Sequence, residues 1–304
     1  MMVGVTVPAT SANLGPGFDS LGLALELRDR ITGEFTEGPD VVVDVTGEGA
    51  AEVPVDATNL VAQVVRSGLA AFDPSGELAR RGLRLTCANA IPHSRGLGSS
   101  AAAIVGGLAL AARLAGVAGE FSSDQAVALA TRLEGHPDNA AAAVLGGATV
   151  AWTNDSPHGP VGRAVRLELD SRVRPVVAIP AVQASTSKAR GALPANVSYA
   201  DASFNVARAA LLVHALTTDP SLLLDATDDR LHQQQRRSVY PASVELMSAL
   251  RQRGIAAAIS GAGPTVIAFS SAEGPGDPRT VAELAGPTWR VLALDVAPTG
   301  VTDI

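Results

Sequence analysis

The strongest chemical pattern in the chain is a glycine- and serine-rich run that leads directly into an alanine-rich segment. It reads Ile91-Pro92-His93-Ser94-Arg95-Gly96-Leu97-Gly98-Ser99-Ser100-Ala101-Ala102. Glycines let a backbone approach an anion closely, and the first amides of a following helix point toward that anion with a favourable dipole. The two serine hydroxyls add donors and a candidate Mg²⁺ ligand. The run therefore predicts a phosphate site.

Other interpretations of this run fit it less well. An ordinary capped helix start would explain a Gly-Ser pair, but the unbroken series of small residues from Gly98 to Ala103 favours close approach of a ligand. The run is not a Walker A loop, because no lysine follows the second glycine. It also lacks the glycine spacing and the ribose-binding acid of a dinucleotide-binding turn.

Two further segments place polar groups close together in the sequence. The first reads Pro8-Ala9-Thr10-Ser11-Ala12-Asn13-Leu14-Gly15-Pro16-Gly17-Phe18-Asp19, and the second reads Glu134-Gly135-His136-Pro137-Asp138-Asn139-Ala140. In the first, the amide of Asn13 could orient a hydroxyl or phosphate oxygen, and Asp19 could accept a hydroxyl proton or pair with an ammonium. The structural alternatives are an Asx-turn loop for the first segment and turn residues beside a helix-end histidine for the second.

A glycine-rich segment and two arginines complete the candidate set. The segment Ser260-Gly261-Ala262-Gly263-Pro264-Thr265 lies between two predicted strands, where a hairpin turn is the alternative. Arg190 ends the run 185–190 and Arg236 ends the run 229–236. Arginine binds carboxylates through a planar bidentate fork, although a solvated surface residue is the default interpretation, and Arg237 could replace Arg236.

Composition excludes several classes of function. The 304 residues carry a net charge of −7, which argues against a nucleic-acid backbone as partner. The longest apolar stretch ends at Arg113, so we expect no membrane span, and the first residues lack an export signal, so we expect a cytoplasmic location. The single cysteine, Cys87, excludes an internal disulfide and a cysteine-cluster metal site, and we expect it to be buried in a strand.

The elements that must position these groups follow from hydrophobic periodicity. The patterns predict strands at 3–8, 41–45, 83–88, 145–152, 163–169, 173–180, 256–260 and 266–270, and helices at 59–72, after Gly98, and at 124–134, 202–216 and 242–252. The polar stretch 154–162 resembles a linker. The order of elements predicts an α+β protein with domains at 1–154 and 155–304.

The motifs resemble those of a known enzyme superfamily. The pattern P-x-x-x-G-L-G-S-S-A-A is similar to the second motif of the GHMP kinases, and the segments 8–19 and 260–265 resemble its first and third motifs. The string E-G-H-P-D-N and the two arginine-bearing runs resemble the homoserine-kinase members. The resemblance covers residues 3 to 270.

This resemblance implies a fold and a reaction. The expected fold has an N-terminal domain like ribosomal protein S5 domain 2 and a ferredoxin-like C-terminal domain, with the nucleotide at their junction. The expected reaction transfers the γ-phosphoryl group of Mg-ATP to the side-chain hydroxyl of L-homoserine, a step toward threonine. A GHMP kinase for a mevalonate-type alcohol or a sugar, and a non-catalytic metabolite sensor, are the alternatives.

The resemblance also implies roles for individual residues. ATP would be bound by Asn59, Pro92, Ser94, Arg95, Gly96, Leu97, Gly98, Ser99, Ser100, Ala101, Ala102, Gly261 and Gly263. Mg²⁺ would be held by Ser100 and Glu134. Homoserine would be bound by Asn13, Asp19, His136, Asp138, Asn139, Thr186, Arg190 and Arg236. Asn13, Asp19 and Asn139 would act in catalysis. Asn139 stands where related kinases have an aspartate proposed as the catalytic base, so the existence of a general base stays open. The oligomeric state also stays open, with a homodimer among the candidates.

Overall fold

A computed structural model describes residues 1–157, 159–270 and 276–304. Its strands are β1 Val3–Asn13, β2 Gly17–Thr36, β3 Val41–Gly47, β4 Gly82–Asn89, β5 Ala148–Asn154, β6 Val161–Leu167, β7 Arg174–Pro180, β8 Ala256–Ile259, β9 Val266–Ser270, β10 Trp289–Ala293 and β11 Thr302–Asp303. Its α-helices are α1 Leu60–Phe72, α2 Ser99–Leu114, α3 Ser123–Glu134, α4 Asp138–Leu145, α5 Thr186–Gly191, α6 Tyr199–Thr217, α7 Leu223–Ala226, α8 Pro241–Gln252 and α9 Pro278–Ala285.

The first sheet is organised around the long strand β2. One half of β2 pairs with β4 and the other half pairs with β5, while β1 lies along its opposite edge. The central path runs β11-β1-β2-β4-β3, and β6 extends the sheet beyond β5. Only the β3–β4 pair is parallel among the described strands. Strand β1 thereby reaches the start of α2, where the Thr10 amide donates to the Leu97 carbonyl at 3.0 Å.

Helix α2 is the central helix of the first domain. Its residues are apolar on nearly every side, and Ala102, Ile104, Leu108 and Leu110 are all buried. A helix that is apolar all round must be enclosed, and α2 packs against α1, α3, α4 and the sheet. Because the helix body is held in this way, its N-terminus is a fixed point in the molecule.

The second sheet has the order β10-β7-β9-β8 and is antiparallel throughout its described strands. Helix α8 buries Val244, Met247 and Leu250 against this sheet, and α9 adds Val281. Mixed helices and strands in two sheets confirm the predicted α+β class. No helix among the described residues has the length and apolar character needed to cross a bilayer.

The predicted linker at 154–162 is wrong. Strands β5 and β6 pair from Ala148 with Leu167 to Asn154 with Val161, so this stretch is the turn of a hairpin in the first sheet; residue 158 lies outside the described residues. The residues of this turn are polar, as those of a linker would be, so composition alone does not distinguish the two. The first sheet therefore continues past the predicted limit at 154, and we propose that the domains divide between β6 and β7.

Two elements near the site differ from their prediction. The strand predicted at 145–152 begins at Ala148, and residues 138–145 form the helix α4. Ala140 to Ala143 favour a helix, and Gly146 and Gly147, both at positive φ, end it before the strand begins. The segment 134–140 (the α3–α4 connection) therefore covers the last residue of α3, the turn 135–137 and the first residues of α4, and it places its polar residues around the start of α4.

Candidate active site

The N-terminus of α2 opens into a cavity of about 230 Å³ between the two domains. The β1–β2 turn, the α3–α4 connection, the β8–β9 loop and α5 supply its other walls. Most of the residues predicted to bind ligands line it: Asn13, Asp19, Ser94, Gly96, Gly98, Ser99, Ser100, Glu134, His136, Asp138, Asn139, Thr186, Arg190, Arg236, Gly261 and Gly263.

Gly98 sets the geometry of the helix start. It is the N-cap of α2 at φ 70°, and no side chain in the described part of the chain caps the helix. The first N–H groups of α2 can therefore donate to a ligand, because an α-helix supplies no acceptor for them. A Cβ at Gly98 would lie 1.8 Å from Thr10 Oγ1, so only glycine fits here. The result is a helix N-terminus that presents amides, and the Ser99 and Ser100 side chains, to the cavity.

Three glycine-rich segments that are distant in sequence meet at this point. The Ser260 hydroxyl donates to the Gly96 carbonyl at 2.6 Å, the Gly261 amide to Ala12 at 2.9 Å, and the Thr265 amide to Arg95 at 3.2 Å. The backbones pass so closely that a Cβ on Gly96 would lie 2.3 Å from the Ser260 carbonyl oxygen. The three predicted motifs thus form one continuous wall.

Asn13 fixes the backbone of Asp19, and Asp19 pairs with Arg190. The Asn13 Oδ1 accepts from the Asp19 amide at 3.0 Å, and its Nδ2 donates to the Gly261 carbonyl at 2.8 Å. Both Asp19 oxygens accept from Arg190, at 2.6 and 3.1 Å, and this hydrogen bond raises the pKa of Arg190. About a third of each side chain of the pair is exposed, 34% for Asp19 and 38% for Arg190, so the pair faces the cavity.

Arg236 faces the same cavity from deeper in the protein. It is 1% exposed, and its guanidinium donates to the carbonyls of Ala189 and Gly261 at 3.2 and 3.3 Å and to His232 Nδ1 at 3.1 Å. The Phe18 ring lies 5.5 Å from the Arg190 guanidinium carbon and 5.7 Å from that of Arg236. Among the described residues Arg236 has no carboxylate partner, so a cation is buried beside the cavity without an anion.

The α3–α4 connection supplies an acid, an imidazole and an amide. The Ser100 hydroxyl donates to Glu134 Oε2 at 2.8 Å. His136 Nδ1 bonds to the buried Asp138 at 2.7 Å. Burial lowers the pKa of His136, but the hydrogen bond to Asp138 and the charges of Asp138 and Glu134 outweigh it and raise the pKa above its ordinary value. His136 is therefore an additional cation at the cavity below that raised pKa.

Asn139 is held in one orientation. Its Oδ1 accepts from the Thr10 hydroxyl at 2.8 Å, and its Nδ2 donates to Asp138 at 3.3 Å. A carboxylate only accepts, so the contact with Asp138 fixes which end of the amide is nitrogen, and the oxygen then faces the Thr10 hydroxyl. A neutral amide with its oxygen engaged in this way cannot remove a proton from a substrate.

A second cavity of about 310 Å³ adjoins the first and shares Ser94, Ser99 and Ser100 with it. Apolar residues line much of it: Ile31, Val45, Val53, Pro54, Val61 and Cys87. Asn59 lies at its rim as the N-cap of α1, where its Oδ1 accepts from the Val61 amide at 2.9 Å and its Nδ2 donates to Pro54 at 2.7 Å. The arrangement suits a flat, apolar group attached to a phosphate chain.

Five residues of the predicted nucleotide set line neither cavity. Leu97, Ala101 and Ala102 are buried in the protein core. Pro92 and Arg95 lie instead on a groove at the outer face of the domain junction. The Arg95 guanidinium donates to the carbonyls of His93, Pro180 and Ala181, at 2.9, 3.2 and 2.8 Å. Arg95 therefore joins the loop 91–98 (the proposed phosphate loop) to the second domain.

Sequence reasoning did not select three residues that shape the site: Thr10, Phe18 and His232. All three stand inside segments that had been singled out, at 8–19 and 229–236. Their types gave no separate signal, because a threonine, a phenylalanine and a histidine are each common in a protein core. Only their contacts with Asn139 and Arg236 distinguish them.

Comparison with known proteins gives the same family throughout. Residues 59–147 match the GHMP kinases N terminal domain and residues 210–283 match the GHMP kinases C terminal domain. A homoserine kinase of Mycobacterium tuberculosis is 51% identical over 273 residues, covering 89% of this chain and 85% of its own length. One of Clavibacter michiganensis is 47% identical over 304 residues, covering 99% and 93%.

Solved structures agree in fold. The homoserine kinase of Cytophaga hutchinsonii superposes with a TM-score of 0.81 at 24% identity, covering 100% of this chain and 97% of its own. Mevalonate kinase of L. major superposes with a TM-score of 0.68 at 15% identity, covering 97% and 96%. These structures confirm the two-domain fold. The chain belongs to the GHMP kinases, among the homoserine kinases of that family.

Proposed function

We propose that the chain transfers the γ-phosphoryl group of ATP to the side-chain hydroxyl of L-homoserine, giving O-phospho-L-homoserine for threonine synthesis. The names of its relatives support the proposal. The observation that carries it is the convergence of Arg190, Arg236 and Asp19 on a cavity beside the α2 N-terminus. The proposal includes a cytoplasmic location, because the reaction consumes ATP.

The charges of the cavity are complementary to an amino acid. A substrate with an ammonium and a carboxylate needs one anion and one cation in the wall, and Asp19 and Arg190 offer both side by side. Arg236 adds a buried cation that has no anionic partner among the described residues. An uncharged sugar would leave this guanidinium desolvated and without an ionic partner, which is costly. The cavity therefore favours homoserine over a sugar.

The nucleotide would occupy both cavities. We place the adenosine in the apolar cavity beside Asn59 and the phosphates across the amides of Ser99 and Ser100, where the helix dipole favours negative charge. The γ-phosphoryl group then enters the cavity that holds Asp19 and Arg190. This placement brings donor and acceptor together at the domain junction, and positioning of this kind supplies much of the rate enhancement in phosphoryl transfer.

The residues at the helix start fit Mg²⁺. Among the described residues there is no cluster of three or more histidine, cysteine or acidic side chains that could cage a metal. Mg²⁺ does not need one, because it uses one or two carboxylates together with substrate phosphates and water. Ser100 and Glu134 would hold the ion, which supplies neutralisation of phosphate charge when it is bound.

We propose that no side chain removes the hydroxyl proton in a strong general-base step. Asn139 stands at the position of the base in relatives, but it is an amide whose oxygen accepts from Thr10. A loose phosphoryl-transfer transition state makes little demand on the nucleophile, so orientation of the bound substrate by Asn13 and Asp19 and charge neutralisation suffice.

A substrate panel tests the proposal. Purified protein with ATP and Mg²⁺ is given L-homoserine, L-homoserine amide, mevalonate or galactose, and ADP release is measured together with the mass of the product. We expect phosphorylation of homoserine, a much weaker reaction with the amide, and none with mevalonate or galactose. Equal use of the amide, or preference for the sugar, would show that the carboxylate is not recognised. Preference for mevalonate, which has a carboxylate but no ammonium, would show that the ammonium is not recognised. Either result would show that the proposal is wrong.

A further inference from the structure

The buried histidine His232 lies behind the cavity and touches no ligand position, yet it contacts Arg236. We propose that His232 is a positioning residue that fixes the Arg236 guanidinium in place for the substrate carboxylate. The inference rests on the proposed function for the identity of that carboxylate. The geometry itself, a neutral imidazole of one defined tautomer between Gly15 and Arg236, does not depend on the proposed function.

The two ring nitrogens of His232 have different partners. Nε2 lies 2.7 Å from the Gly15 carbonyl oxygen, and Nδ1 lies 3.1 Å from Arg236 Nη1. A carbonyl can only accept and a guanidinium can only donate. Nε2 must therefore carry the proton, and Nδ1 must offer its lone pair to Arg236. The other neutral tautomer would place two donors against each other at Arg236 and two acceptors against each other at Gly15.

A doubly protonated ring is disfavoured for the same reason. His232 is 0% exposed, and a charged imidazole would face the Arg236 cation with a proton instead of a lone pair. The charges that face the ring are Asp229, whose Oδ2 lies 3.8 Å from Nε2, together with Arg236 and the more distant Asp19. Burial outweighs the attraction of Asp229 and lowers the pKa of His232, in agreement with the neutral form that the contacts require.

The other hydrogen bonds of Arg236 are longer than the one to His232. Arg236 donates to two carbonyls at 3.2 and 3.3 Å, and the Phe18 ring lies at 5.7 Å from its guanidinium carbon. The Phe18 ring also contacts His232, with centroids 5.1 Å apart. His232 thus provides the shortest hydrogen bond to the guanidinium and determines its plane, while the Gly15 carbonyl in the β1–β2 turn determines the plane of the imidazole.

Two isosteric substitutions separate the two nitrogens. Asparagine at position 232 places an oxygen near the Nδ1 position and can still accept from Arg236, whereas glutamine places its amide near Nε2 and keeps only the bond to Gly15. We expect His232→Gln to raise the KM for homoserine about tenfold and His232→Asn to raise it less than about threefold, with the KM for ATP within about twofold in both. Equal effects of the two variants on homoserine would overturn the inference.

A double-mutant cycle distinguishes positioning from packing. In an Arg236→Ala background the His232→Gln change has no guanidinium left to position, so it should produce no further rise in the KM for homoserine. A residue that only fills the core would add its full effect in either background. Both variants must first give a cooperative thermal transition. If Arg236→Ala fails to fold, Arg236→Met takes its place in the cycle, because it fills more of the volume and also lacks the guanidinium.

The tautomer is tested without any substrate. Two-bond ¹H–¹⁵N correlation of the histidine rings, with the His232 signals identified by their loss in His232→Gln, should show a neutral ring protonated at Nε2. The pattern should persist down to about pH 5.5, below the ordinary histidine pKa. A ring protonated at Nδ1 or at both nitrogens would refute the positioning inference even if homoserine is the substrate. If instead homoserine is not phosphorylated but the tautomer is as described, only the proposed function fails.

Discussion

Arg190 and Arg236 face one cavity but differ in their electrostatic surroundings. Arg190 is partly exposed and already shares its charge with Asp19, so a substrate carboxylate would join an existing pair. Arg236 is buried with neutral acceptors only, among the described residues. Desolvation of Arg236 has therefore already taken place before substrate binds, and a carboxylate that reaches it meets a cation that water does not screen.

Replacement of either arginine should affect homoserine far more than ATP. We expect Arg190→Ala and Arg236→Ala each to raise the KM for homoserine by about ten- to a hundredfold, which corresponds to about 1.5 to 3 kcal/mol for a charge-assisted contact. Steady-state kinetics with each substrate varied in turn measures this. Lysine at either position should restore only part of the affinity, because a point charge cannot reproduce the fork.

Homoserine amide serves as the control for these variants. It lacks the charged carboxylate, so the arginine substitutions should lower the rate of its phosphorylation much less than they lower the rate with homoserine. If both variants use homoserine normally, the arginines do not bind the substrate.

Glu134 is predicted to act through Mg²⁺. Glu134→Gln should raise the Mg²⁺ concentration that gives half-maximal rate, because a neutral amide is a poorer ligand for a hard cation than a carboxylate. Mg²⁺ titrations at saturating ATP measure the shift. Glu120→Gln, at an exposed position outside both cavities, is the matched control. An unchanged Mg²⁺ dependence in Glu134→Gln would make Glu134 a structural partner of Ser100.

His136 should make stability depend on pH. Its pKa is raised in the folded protein, so its interaction with Asp138 stabilises the fold fully below the unfolded pKa of about 6.5 and is lost as pH rises through the raised value. The melting temperature of the parent protein should therefore exceed that of His136→Gln by more at about pH 5.5 than at about pH 8.5. Thermal unfolding at both pH values measures this, and a difference that does not change with pH would contradict it.

At the scale of elements, the site is built from the ends of secondary structure. Helix α2 begins at the cavity, β1 ends there, and α4 begins beside them. The non-glycine residues with positive φ in the described chain are Asn13, Leu14, Asp19 and Ser94, and all lie at or next to this cavity. Such conformations cost energy and persist where surrounding structure fixes them. The packed body of α2 and the first sheet supplies that support.

The start of α2 should tolerate no side chain at Gly98. Gly98→Ala places a Cβ against Thr10 and should raise the KM for ATP strongly, because the helix start must move away from the phosphate position. Gly116, just beyond the other end of α2, also has a positive φ, at 75°, but nothing lies within 4 Å of its Cβ position. Gly116→Ala should therefore lose only about 1 kcal/mol of stability to backbone strain and leave ATP kinetics unchanged.

ATP kinetics and thermal unfolding of both glycine variants test this. If the two variants have equal effects on the KM for ATP, the clash with Thr10 does not govern the phosphate site.

At the scale of the whole molecule, contacts across the domain junction hold the two halves of the site together. Arg95 reaches from the phosphate loop to the end of β7, and the Ala184 amide donates to the Ser94 carbonyl at 3.0 Å. Arg290 of β10 forms a second link through an exposed pair with Glu48 at 3.1 Å. The domain junction is thus built into the same loop that is proposed to bind phosphate.

Arg95 and Arg290 should differ in their contribution to the free energy of unfolding. We expect Arg95→Ala to lower the free energy of unfolding by about 1 to 3 kcal/mol, because it removes charge-assisted bonds to three carbonyls. Arg290→Ala removes an exposed ion pair and should cost about 0 to 1 kcal/mol. Urea denaturation of both variants measures the values. A larger loss for Arg290→Ala would show that the exposed pair, and not the phosphate loop, holds the domains.

The sequence by itself determined the family of the protein and indicated the loop that we propose to bind phosphate. A glycine-rich turn that leads into a helix presents its amides through local backbone geometry, so Gly96 to Ser100 could be proposed as an anion site without knowledge of the rest of the chain. Helices and strands with clear periodicity, such as α1, α6 and α8, were predicted to within a few residues for the same reason. The α4 helix was missed because its alanine run has no polar face.

Only the tertiary structure decided which groups meet. Asp19 and Arg190 are 171 residues apart, and Gly15 and His232 are 217 apart, so no local pattern could pair them. The same holds for Arg95, whose place in the phosphate loop predicted a ligand contact although its guanidinium lies on the second domain. Local geometry fixes where a backbone presents its amides, whereas the direction of a long side chain depends on acceptors that arrive from distant parts of the chain.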